Sequence, residues 1–114
     1  MANTFKLKTK SGVNGAALTT VYTVPSSTTA VIIGLTVSNI KGASITADVQ
    51  IVTASSSGEN ADDVYVVKDI PLPSGSSVEV MSGNKIILNA GDIVKASGSN
   101  ASGNDADIIL SIME

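Results

Sequence analysis

Apolar residues in this chain recur at every second position, in short runs broken by turn residues. That period sends successive side chains to opposite sides of a pleated strand, so each run reads as a strand with one buried face. The longest stretch is Ala30 to Thr53. Val31, Ile33, Leu35 and Val37 share one face of its first half, and Ile45, Ala47, Val49 and Ile51 share one face of its second. With Lys41-Gly42-Ala43 between them, the two halves are expected to form a long hairpin with a tight reversal. Thr36, Ser38, Thr46, Asp48 and Gln50 mark the opposite faces as solvated, and Ile32 and Val52 interrupt that polarity.

The shorter runs follow the same rule. Thr4 to Thr9 alternates Phe5, Leu7 and Thr9 with Lys6, Lys8 and Lys10, which predicts an edge strand whose lysines face solvent and discourage pairing. Ser11 to Gly15 reads as a turn-rich loop. Leu18 to Val24 places Leu18, Thr20, Tyr22 and Val24 on one face and ends at Pro25. Asp62 to Leu72 is a strand that Pro71 and Pro73 confine to an edge. Ser76 to Met81, Lys85 to Leu88, Ile93 to Ser97 and Ala106 to Met113 complete the set, while Ala54 to Asn60 and Gly98 to Asn104 read as loops. No run repeats apolar residues at three and four, as an amphipathic helix requires. The expected fold is all-β, a β-sandwich with jelly-roll-like or Greek-key connections and eight to nine short strands. It occupies one domain over residues 1–114, with residues 1–15 an N-terminal arm or edge strand.

Composition narrows the function. At 114 residues, folding buries roughly two-thirds of the surface that the unfolded chain exposes. The only aromatics are Phe5, Tyr22 and Tyr65, so the core must be built from branched aliphatics, which favour strands. The net charge is -3 and every cation is a lysine. Without arginine the chain lacks the bidentate fork that reads phosphate and guanine, and no nucleic-acid partner is expected. MANTFKLKTK has no apolar signal-peptide core, no apolar run reaches the length of a membrane helix, and no membrane partner is expected.

Candidate chemistry is sparse. The absence of histidine and cysteine removes the common zinc ligand sets and histidine-assisted nucleophiles and bases. Asp62 and Asp63 with Asp69 or Glu59 supply hard oxygen donors of the kind calcium takes, but without EF-hand spacing they read as solvated loop carboxylates. Asp105 and Asp107, two apart, are expected on one face of the last strand; no motif makes them a catalytic pair. Asp92 after Gly91 reads as a turn cap. The glycines match no phosphate-binding loop. Tyr22 and Tyr65 are the only candidate sugar-stacking platforms, with Ala54–Asn60 and Gly98–Asn104 as rim loops. The expectation is a non-enzymatic protein with no metal and no cofactor.

A surplus of apolar residues is more informative. In a lone sandwich each strand buries one face. Ile32, Ile40, Val52, Tyr65, Val67, Ile109 and Met113 exceed that need and are the candidate assembly interface of a homo-oligomer. Phe5, Lys6, Lys8 and Lys10 are the candidate N-terminal contacts to a partner protein.

Three stretches carry a family resemblance. They are Tyr22-Thr23-Val24-Pro25 leading through Thr28-Thr29-Ala30 to the strand ending Ser38-Asn39, then Val67 to Ser76, then Lys85-Ile86-Ile87-Leu88-Asn89-Ala90-Gly91-Asp92. In order and spacing the chain from Tyr22 onward resembles small all-β virion structural proteins of tailed bacteriophages. That resemblance implies a non-enzymatic particle component, made in the host cytoplasm and located in the virion. A capsid decoration (cement) protein on a symmetric lattice fits the length best. A neck or tail accessory subunit, or a carbohydrate- or receptor-binding tail module, is the alternative. The implied partners are copies of itself and other virion proteins, such as major capsid, neck or tail proteins.

Overall fold

The structure is a computed structural model that describes residues 4–54, 62–81 and 83–114. These form nine strands: β1 (Phe5–Val13), β2 (Thr19–Thr23), β3 (Ala30–Asn39), β4 (Ile45–Val52), β5 (Val64–Leu72), β6 (Ser77–Glu79), β7 (Ile86–Leu88), β8 (Ile93–Ser97) and β9 (Ala106–Met113). Among the described residues there is no helix. Sheet A runs β1-β9-β3-β6, with β7 also beside β3, and sheet B runs β2-β8-β4-β5. Every pairing is antiparallel.

β6 pairs Thr36–Ser38 and β7 pairs Ala30–Ile32, so the two are halves of one interrupted edge strand. Taken together they give four strand positions in each sheet. The chain changes sheet at every connection except β4–β5 and β6–β7. A double-sheet antiparallel sandwich wound this way is a jelly roll.

That winding corrects the expected hairpin. The chain does reverse between Asn39 and Ile45, but it passes from sheet A to sheet B, so β3 and β4 face each other across the core instead of pairing. Both edges of β3 are already taken, by β9 and by β6/β7, and both edges of β4 by β8 and β5. The buried Asn39 side chain fixes the corner. Its amide donates to the Ala43 carbonyl at 2.9 Å and the Leu72 carbonyl at 3.0 Å, and its oxygen accepts from the Lys41 amide at 2.8 Å.

A β-bulge makes the second correction. The β3–β9 register shifts between Ile32 and Gly34. Ala30 and Ile32 therefore face inward before the bulge and Leu35 and Val37 after it, leaving Ile33 exposed and Val31 half-buried. The break between β6 and β7 lies opposite the same bulge. There the Glu79 carboxylate accepts from the Leu35 amide at 3.0 Å and the Met81 amide at 2.7 Å, replacing the missing ladder bonds. A Cβ at Gly34 would stand 3.2 Å from that carboxylate, close enough that Glu79 would have to shift to admit it.

The core between the sheets is almost wholly aliphatic. Ile32, Leu35, Leu88, Ile108, Leu110 and Ile112 are its largest fully buried side chains. Valines from both sheets fill the rest, as the shortage of aromatics requires. No buried side-chain polar atom among the described residues lacks a hydrogen-bond partner.

Candidate assembly surface

The two outer faces of the sandwich differ. On sheet A the register lines up Phe5, Met113, Val31 and Ile87 in one row across four strands. Phe5 is 73% exposed and Ile87 68%, while Val31 and Met113 between them are half-buried. Leu7 and Ile33 border the row and are exposed too. Ile109, also exposed, lies one outward position further along β9, beyond Ser111 and in register with Thr9 and Thr36. One end of this face is thus a continuous apolar surface that nothing in the chain covers among the described residues. Its other end is mainly polar: Thr9, Lys10, Ser38 and Asp107 line a hollow with Ile109 at its margin, and Asp107 accepts from the Gly12 amide at 3.0 Å.

Sheet B presents mostly water-compatible residues, with Val52 and Ile93 paired at one end of its outer face. Thr20, Lys95, Gln50 and Tyr65 lie in register across it, beside Thr46, Asp48 and Ser97. Asp48 is tied into the sheet, accepting from the Ser97 hydroxyl at 3.2 Å and from the Asp69 amide at 2.6 Å. Lys68 sits 4.6 Å from the centre of the Tyr65 ring.

The strand β1 inverts its expected orientation. Lys6, Lys8 and Lys10 lie opposite the inward-facing Ile112, Leu110 and Ile108, so Phe5, Leu7 and Thr9 point outward. Alternation distinguishes two faces but not which is inner. At this open edge the inner side is roofed by the β2 strand, and polar groups there receive the lysines. Lys8 approaches to 5.7 Å from the centre of the buried Tyr22 ring. The Tyr22 hydroxyl donates to the Glu114 carboxylate, whose other oxygen lies 2.7 Å from the Lys6 ammonium. The hydrogen bonds from Lys6, then from Tyr22, hold the Glu114 carboxyl below its usual range. Burial, reinforced by the Glu114 carboxylate, raises the Tyr22 phenol above its usual value.

The candidate interface residues do not form one surface. Ile32 lies in the core with no exposure, displaced inward by the bulge, and is not available to a partner. Val67 pairs with the buried Val49 and packs against the core. Val52 and Tyr65 belong to the outer face of sheet B, and Ile40 is exposed at the β3–β4 corner. Only Met113 joins the apolar end of sheet A, together with Phe5 from the N-terminal set, and Ile109 sits on the same outer face at the boundary between its apolar and polar ends. Val31, Ile33, Leu7 and Ile87 complete that surface and were not among the candidates. Alternation alone places Val31, Ile33 and Leu7 inward, the opposite of where they lie. Ile87, exposed between the less exposed Ile86 and Leu88, was legible from alternation.

The remaining candidates resolve into structural roles. Asp92 caps its turn as expected, accepting from the Asn89 and Ala54 amides at 2.9 Å each. Asp105 precedes β9 and is fully buried, so it does not share a face with Asp107. Its carboxylate accepts from the Asn100 amide at 2.8 Å and the Ser99 amide at 2.9 Å, which organises the β8–β9 loop. Burial would raise this carboxyl; the hydrogen bonds from Asn100 and Ser99 and the nearby Lys41 outweigh that and lower it. Asp63 accepts from the Thr53 amide at 3.1 Å. No group of three potential metal ligands occurs among the described residues, and Glu59 lies outside them. Tyr22 is buried and Tyr65 is not, which leaves one accessible ring for stacking. Of the proposed rim loops, Gly98–Asn104 is described and residues 55–60 fall outside the described residues.

A further hollow of about 630 Å³ opens at the edge between β5 and β7. Ile51, Val64, Val66, Ile86 and Leu88 give it apolar walls, with Thr53 and Tyr65 at its margin.

The fold therefore defines an all-β jelly-roll sandwich. No protein-family model matches the chain, and no curated protein matches it. Solved structures are similar in fold. One comes from work titled as describing Bacillus endospore appendages, a family of disulfide-linked pili: 15% identity, 97% of this chain, 86% of that chain, TM-score 0.52. Another is infectious bursal disease virus, Gx strain, at 14% identity over 96% of this chain and 33% of that one, TM-score 0.49. A third is the infectious bursal disease virus VP2 subviral particle, at 12% identity over 97% and 32%, TM-score 0.47. The chain spans about a third of each viral protein it is compared with. At these identities the appendage likeness shows a shared fold.

Proposed function

We propose that this chain is a non-enzymatic structural subunit of a bacteriophage particle, a capsid decoration protein seated on a symmetric lattice by the outer face of sheet A. The observation that carries this reading is the apolar end of that face. The sandwich already has a complete core, so Phe5, Leu7, Val31, Ile33, Ile87, Ile109 and Met113 are surface beyond what folding uses. The resemblance of the stretches from Tyr22 to Asp92 to tailed-phage virion proteins supports the choice of particle.

Magnitudes favour a lattice over a tight one-to-one complex. Fully burying an exposed aliphatic or phenyl side chain is worth about 1.5–3 kcal/mol. Association itself costs about 4–15 kcal/mol. A handful of side chains, several already half-covered, leaves a modest surplus for a single contact. Repetition on a symmetric shell multiplies it, because neighbouring subunits hold one another in place.

The test is cosedimentation of the purified protein with virions isolated from the strain that carries its gene. Wild type is expected to pellet with virions, and Ile109→Lys to remain in the supernatant while folding normally. A wild-type protein that ignores virions, and that antibodies do not detect on them, overturns the reading.

A further inference from the structure

We propose that copies of this chain join head to tail, the β1 edge of one copy seating against the β5/β7 cleft of the next. The proposal deepens the structural role above and rests on it, since it names how neighbouring subunits touch. Both features belong to the seam between the sheets, at opposite sides of the sandwich: β1 and β2 bound one side, β5 and β6/β7 the other. None of these edge strands has a second ladder partner among the described residues.

Charge selects the occupant. β1 brings Lys6 and Lys8 to the inner side of its edge, beside the carboxylate of Glu114, while the exposed Lys10 shares a hollow with Asp107. At the opposite edge Asp62 and Asp63 are exposed and grip Thr53, which lines the cleft. The Asp63 carboxylate accepts from the Thr53 amide at 3.1 Å, and the Asp62 carbonyl accepts from its hydroxyl at 2.7 Å. Lysine stems are apolar and their heads are not. Set against this cleft, the stems of β1 meet Val64, Val66 and Ile86, which line it, and the ammonium groups reach the exposed Asp62 and Asp63, which flank it through Thr53. The same placement brings Phe5 of one copy beside Ile87 of the next. The apolar row of sheet A, which begins at Phe5 and ends at Ile87, then continues from subunit to subunit. Because the two surfaces differ, each contact leaves one edge and one cleft open. Such a heterologous contact closes into a ring or extends as a filament.

Sedimentation velocity on wild type and two variants tests this. Phe5→Glu with Lys10→Glu spoils the edge, and Asp62→Lys with Val64→Arg spoils the cleft. All four positions are exposed, and circular dichroism melts check that both variants fold. Wild type is expected to grow past the dimer as concentration rises and to shrink with added salt, which screens the lysine–aspartate pairs. Each variant alone is expected to be monomeric, and an equimolar mixture to stop at the dimer, because one intact edge meets one intact cleft. A wild type that stays monomeric at its highest soluble concentration, a mixture that stays monomeric, or a dimer that both variants retain overturns the proposal. Virion binding separates the two ideas. If Ile109→Lys still abolishes virion binding while self-association is absent, the head-to-tail contact falls and the structural role stands. Self-association that follows the expected pattern in a protein that ignores virions does the reverse.

Discussion

The outer faces of the two sheets are made by the same rule and end differently. β4 in sheet B alternates a buried aliphatic with a polar outward residue over its whole length until Val52. β9 in sheet A alternates equally well, but two of its outward positions are Ile109 and Met113. Packing explains the inward half of each strand. Nothing in the chain's own folding explains why one outward half is solvated and the other apolar. The difference teaches that surplus is read from the face a strand turns away from the core, and that its meaning depends on the neighbours in register with it.

Adjacent residues on β9 break the comparison most sharply. Leu110 is fully buried and Ile109 is 42% exposed. Leu110→Ala is expected to cost about 2–5 kcal/mol, the range for a buried leucine that leaves a cavity. Ile109→Ala is expected to stay within about 0.5 kcal/mol. Urea unfolding of the two variants checks both values; equal losses erase the distinction between faces.

The loops differ from the faces in what holds them. Asp105→Ala leaves the Ser99 and Asn100 amides without their acceptor and is expected to cost about 1–3 kcal/mol. Its carboxyl is lowered in the folded state, so it stabilises the protein above the ordinary carboxylate range. That contribution disappears as pH falls from about 4 through the depressed folded value. Asp105→Asn is therefore expected to flatten the acid limb of the stability profile, measured by thermal melts from neutral pH downward.

Tyr22 gives the opposite sign at the other end of the scale. Its folded phenol is raised, so its contribution is complete below the ordinary tyrosine value near 10 and is lost as pH rises beyond it. Tyr22→Phe is expected to alter stability slightly at neutral pH and to remove this part of the alkaline loss. Smallest in stability, and most telling for function, is a pair of outward lysines. Ile109→Lys and Gln50→Lys are both expected to melt like wild type, while only the first loses virion binding.

Alternation made the strands legible: Ala106–Met113 was bounded correctly from sequence alone, and the turn cap at Asp92 was readable from its place after Gly91. Three things were not. The phase of β3 changes at Ile33–Gly34, and a bulge leaves no mark in a run of β-branched residues beyond the glycine. The orientation of β1 was inverted, because Lys6 and Lys8 find Tyr22 and Glu114 on the inner side, partners distant in sequence. The turn at Lys41-Gly42-Ala43 serves a hairpin or a change of sheet equally well; the buried Asn39 and the strands already occupying β3 decide between them. The first two errors moved Val31, Ile33, Phe5 and Leu7 to the wrong side and Ile32 out of the core, while the third changed the strand pairing and left the inward face of β4 as expected.

The chain contains no cysteine, so single thiols report on chosen positions without background. Ile109→Cys on the outer face of sheet A and Gln50→Cys on that of sheet B, each labelled with a maleimide in the free protein and in purified virions, compare the two faces directly. The account predicts that position 109 reacts in the free protein and is protected in the particle, while position 50 reacts to the same extent in both. Equal reactivity of position 109 in the free and assembled states would contradict it.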